Sequence, residues 1–93
     1  MTPQNELRLL PWSSPDGKAC YLSTDDSGGY MSRLADNIEA AQLGMAAELV
    51  EQVSTRLGDR DAGPEDMRRM LAELTGALRD VIRVATSRGH LRP

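Results

Sequence analysis

Apolar residues return every three or four positions from Tyr30 to Leu57, and again from Met67 to Ala85. That is the spacing of helices with a face turned away from water. In the second helix Met67, Met70, Leu71, Leu74, Ala77, Leu78, Val81, Ile82, Val84 and Ala85 fall on one side. They cover an arc of about 160°, one ordinary buried face. The first helix carries two stripes side by side. Met31, Leu34, Ile38, Ala41, Met45 and Leu49 form one, and Leu43, Ala46, Val50, Val53 and Leu57 the other. Together they span roughly 200°, more than one partner helix covers. The first helix therefore needs at least two neighbours.

The punctuation sets the boundaries. Residues 1–5 are polar and expected to fray. Two extended runs, Glu6 to Leu10 and Lys18 to Leu22, flank Ser13-Ser14-Pro15-Asp16-Gly17. Pro presets φ, Asp bonds nearby backbone, and Gly accepts positive φ, so residues 6–22 read as a β-hairpin. Pro11 has no N–H for a ladder and belongs at a strand end or edge. A polar loop fills 23–29, and helix 1 spans 30–57, closed by Gly58 in a left-handed conformation. Residues 58–63 form a turn. Helix 2 spans 64–88, opened by Pro64 with Glu65 and Asp66 at its positive end and closed by Gly89. The tail is 89–93.

The expected fold class is thus mainly α: an N-terminal β-hairpin followed by a long antiparallel helical hairpin in a single domain. An isolated two-stranded hairpin is marginal in water, so it should lie over the first helix, with Trp12, Tyr21 and Leu22 as anchors. A second copy would cover the remainder, giving a four-helix dimer. Its interface is expected at Leu34, Ile38, Ala41, Met45, Leu43, Val50 and Leu57. Gly44 fits a close helix approach there, or else a tolerated solvent position.

Composition supports self-association. The chain has 93 residues and no Phe, so its core must come from aliphatic side chains and Met. Chains this short often gain stability by oligomerising. Ten of eleven basic residues are Arg, a bias of the kind that a GC-rich genome produces without any chemical cause. The net charge of −3 argues against a dedicated nucleic-acid binder. No segment approaches the roughly 20 apolar residues that span a bilayer. The start lacks the pattern of a secretory signal, so the expected location is the cytoplasm.

Little in the sequence suggests catalysis. Cys20 and His90 are the only Cys and His, too few for a zinc site, and neither a disulfide nor a cofactor is expected. Cys20 between Ala19 and Tyr21 reads as a small packed hydrophobe rather than a nucleophile. Residues 24–29 lack the alternating ligands of a calcium loop, and Gly28-Gly29 is a weak phosphate signal. Arg68, Arg79 and Arg83 lie within roughly 60° on helix 2, with Arg88 and Arg92 beyond. Such a strip either grips phosphate or an acidic partner, or is simply a solvated face. Trp12 is either a core plug or a binding hot spot.

The function these features favour is a small, non-catalytic, homodimeric protein-interaction or regulatory module. Trp12, Arg68, Arg79, Arg83 and Arg88 would contact a partner or phosphate. The alternatives are a transcription-associated nucleic-acid binder using the Arg strip, and a small-molecule sensor holding ligand against Tyr21, Tyr30 and Met31.

Overall fold

Between Ser14 and Lys18 the chain reverses on a left-handed glycine. Gly17 has φ 84°, its N–H donates to the Ser14 carbonyl at 2.8 Å, and the Ser14 N–H donates to the Lys18 carbonyl at 2.9 Å. The Ser14 hydroxyl donates to the Asp16 carboxylate. This turn joins β1 (Leu7–Ser13) to β2 (Ala19–Ser23), paired antiparallel. The computed structural model describes residues 7–23 and 29–89; the expectations for 1–6, 24–28 and 90–93, including His90 and Arg92, lie outside the described residues.

β1 does not stop at Leu10 but runs through Pro11 and Trp12 to Ser13. Leu9 pairs with Tyr21 and Ser13 with Ala19, so residues 10–12 face Cys20 alone. This bulge breaks the alternation of a regular strand and lets consecutive Leu10 and Pro11 both be buried. It also accommodates a residue with no N–H inside a strand. Paired residues share a face of the sheet. Arg8, opposite Leu22, reaches the helices, so Tyr21 on the alternate face turns away and is 57% exposed. Of the three expected anchors, Tyr21 is therefore none, and Trp12 and Leu22 are half-buried. The buried anchors are Leu10 and Pro11.

The helices are α1 (Tyr30–Leu57) and α2 (Pro64–Ser87). Neither has a side-chain N-cap; α2 instead has Pro at its start and Glu65 and Asp66 in its first turn. Gly58 is not left-handed as expected, having φ −83°. Its N–H bonds the Thr55 carbonyl at 3.1 Å, tightening the last turn without any change of hand. Charge then organises the turn. Arg56 pairs with Asp59 at 3.3 Å and with Asp66 at 2.8 Å, and Arg69 pairs with Asp66 at 3.1 Å. These pairs are partly exposed and contribute about 1 kcal/mol or less each. A left-handed glycine, Gly89 at φ 78°, follows the end of α2.

α1 and α2 form the antiparallel helical hairpin, and β1 packs on both, chiefly on α2. The inward side of α1 corrects the stripe picture. Buried Ser32, Ala35, Glu39 and Val53 share one row with half-buried Gln42, Ala46 and Leu49, at steps of three and four residues. This seam, part polar and part small, takes Leu49 from one expected stripe and Ala46 and Val53 from the other, and leaves their remaining members on opposite flanks. The α2 arc is likewise not an ordinary buried face. Val84 is its buried member, while Leu71, Leu78 and Ile82 are 53–64% exposed. α1 covers only one edge of that arc, and the β-hairpin occupies only one end of a molecule 56 Å long.

Within the protomer Gly44 stands in open space, which agrees with the solvent-side reading of this glycine. A Cβ added there meets nothing within 4 Å. Gly44→Ala should therefore raise stability by about 1 kcal/mol, the propensity difference. Urea unfolding checks this as a higher midpoint with an unchanged slope.

Candidate functional site

Two features stand out beyond the seam: a charged clamp at the hairpin end and an apolar face along the helices. The clamp centres on Glu39, which is 1% exposed. Arg8 reaches down from β1, donating to Asp36 at 2.7 Å and to the Ser32 carbonyl at 3.3 Å, and lies 3.2 Å from Glu39. Burial alone would lower the Arg8 pKa, but its hydrogen bond to Asp36 and the charges of Glu39 and Asp36 outweigh burial and raise it. Arg88 approaches Glu39 from α2 at 3.6 Å. The second Glu39 oxygen, Oε2, is buried and accepts no hydrogen bond from the described residues. Beside this set, Gln42 Nε2 donates to the Pro11 carbonyl at 3.0 Å. Arg83 reaches the same carbonyl and the Ser13 hydroxyl, both at 3.4 Å. Arg8, Gln42 and Arg83 tie β1 to the helices, with Pro11 presenting an acceptor where the bulge leaves the ladder open, while Arg88 joins the end of α2 to Glu39 of α1.

The apolar face lies on one flank of the seam. Leu43, Ala46, Ala47 and Val50 of α1 and Leu74, Ala77, Leu78 and Val81 of α2 line a trough of about 300 Å³, with no polar side chain among them. Leu57 lies two turns beyond Val50, and Leu71 and Ile82 lie seven and four residues from Leu78, so all three extend the same face. Val50 is 53% and Leu57 69% exposed, and neither is enclosed by its own chain. Contiguous apolar surface of this kind marks an interaction site more often than scattered exposed residues do.

On the opposite flank a second trough of about 440 Å³ has Met45, Ala46, Leu49, Gly76 and Ala77 among its lining. Its polar margin is Gln42, Gln52, Glu48, Glu73 and Asp80, three acids and no base.

The structure divides the residues that the sequence groups together. Leu43, Val50 and Leu57 share the apolar face, whereas Met45 lies across the seam in the acidic trough. Leu34, Ile38 and Ala41 follow Met45 by helical spacing. Leu34 and Ile38 are half-buried and Ala41 exposed. The Arg strip is divided as well: Arg83 and Arg88 are engaged by the clamp, while Arg68 and Arg79 stand exposed. Trp12 is half-buried. Tyr21, Tyr30 and Met31 line none of the troughs described. Sequence reasoning missed Glu39, although its step of four from Ala35 and three from Gln42 put it on the inward side.

Cys20 is a half-buried free thiol. Among the described residues, no three His, Cys, Asp or Glu come together as a metal site, and no helix is long and apolar enough to cross a membrane. The geometry is that of surfaces, with no charged or nucleophilic group lining the apolar face. No family model, curated protein or solved structure matches the chain.

Proposed function

We propose that the protein is a homodimeric, non-catalytic interaction module, two helical hairpins pairing through their apolar faces into a four-helix bundle in the cytoplasm. The observation that supports it most is the trough lined by Leu43, Ala47, Val50, Leu74, Leu78 and Val81 with no polar side chain. A face without charge has nothing with which to select a charged partner, but it matches itself when rotated about a twofold axis. The protomer also has reason to recruit more core. Its buried apolar residues among those described are Leu10, Pro11, Ala35, Val53 and Val84. Each exposed Leu or Val that a second copy covers contributes up to roughly 1.5–3 kcal/mol. Pairing at 3–4 ridge geometry is how such hairpins bury their second flank. The interface takes Leu43, Val50 and Leu57 from the expected set and leaves Leu34, Ile38, Ala41 and Met45 outside it.

If folding and pairing are coupled, stability depends on concentration. The melting temperature is expected to rise by several degrees between micromolar and hundredfold higher protein. A melting temperature constant over that range contradicts the proposal.

A further inference from the structure

We infer that the acidic trough between α1 and α2 is a docking site for a cationic amphipathic helix of a partner protein. The inference concerns the flank opposite the proposed dimer face, which a four-helix dimer leaves outside. Three observations lead to it. First, Met45, Ala46, Leu49 and Ala77 give the trough an apolar lining, and it is open rather than closed. An open trough between two helices leaves a small molecule half in water, but it accepts the apolar stripe of a third helix. Second, the charge at its margin has one sign. Glu48 and Glu73 make no ion pair among the described residues, and Asp80 lies 3.8 Å from Arg83, a long pairing. Further along the seam, Arg56 and Arg69 are already paired with Asp59 and Asp66. The unspent potential over the trough is therefore negative, and it selects Lys or Arg at the edges of the incoming helix. Third, Gly76 lies in the lining, in the middle of α2, yet a Cβ there meets nothing within 4 Å. Nothing inside the protomer requires glycine at that place. The missing side chain leaves room for the backbone of a helix crossing over it.

The probe is an amphipathic peptide of about 18 residues, five helical turns, built from Leu and Lys, compared with its Leu and Glu counterpart. Fluorescence anisotropy of the labelled peptides against the full chain should show binding of the Leu/Lys peptide and none of the other. Added salt should weaken it, because the acids lie at an exposed margin. Gly76→Leu fills the trough with a better helix former and should weaken binding about tenfold or more. Glu48→Gln with Glu73→Gln should weaken it several-fold, while Asp61→Asn in the remote turn should leave it unchanged. Leu78→Asp, on the dimer face, should also leave it unchanged, so the failure of one reading is separable from the failure of the other. Equal binding of both peptides, or full binding by Gly76→Leu, overturns the inference. Loss of binding in Leu78→Asp alone assigns the peptide to the other face and overturns it too. A halved mass of Gly76→Leu would make the trough part of the dimer, with the same consequence.

Discussion

Arg8→Met is expected to destabilise the fold by about 3 kcal/mol, far more than removing an exposed ion pair. The reason lies in what remains. Glu39 is 1% exposed, and Arg8 at 3.2 Å is its nearer cation. Without the guanidinium, the carboxylate is left in a space that water does not reach, with Oε2 already lacking a donor. A buried charge stripped of its partner costs about 3–5 kcal/mol. Arg88 at 3.6 Å offsets part of this, which places the expectation at the lower end. The double variant Arg8→Met with Glu39→Met removes both charges and keeps the volume, and it should recover most of the loss. Urea unfolding at fixed protein concentration reads the cycle. Equal losses in the single and the double variant would show that Arg8 acts by packing alone.

Leu78→Asp should dissociate the proposed dimer. In one protomer Leu78 is 57% exposed, so the isolated fold loses little when it becomes polar. Across a twofold interface the same change puts a carboxylate from each copy into a trough lined only by apolar side chains. Nothing there pairs with it, and burying an unpaired charge costs several kcal/mol. The dissociation constant should rise by at least about a thousandfold, some 4 kcal/mol. Light scattering should give half the parent mass, and at equal concentration the melting temperature should fall. A variant with parent mass and parent stability would show that Leu78 is ordinary solvent-facing surface.

The elements and the clamp differ in how much the sequence reveals of them. Pro15-Asp16-Gly17 marks the β-turn and Pro64 the start of α2, because each encodes a backbone angle directly. The helical period supplies the rest of the mainly α fold with its N-terminal hairpin. Gly58 misled because a helix can also end through a tight right-handed turn, here followed by an aspartate that pairs with Arg56. The bulge at Leu10 and Pro11 was hidden, since alternation assumes a regular strand. Glu39 and Gln42 were hidden for a different reason. A charged or amide residue on a helix normally signals solvent, yet these two meet the guanidinium and the carbonyl that the β-hairpin brings down. Their polarity becomes intelligible only once the hairpin is in place. The seam they belong to explains the wide apolar girth of α1: the two stripes lend members to one inward row and otherwise flank it.

That girth is the foundation of the dimer proposal, and mass in solution tests it most directly. Sedimentation equilibrium of the full chain is expected to give twice the protomer mass of 10.2 kDa at micromolar concentration. A chain that sediments at 10.2 kDa up to the highest soluble concentration, with Val50, Leu57 and Leu78 left in water, would contradict the account.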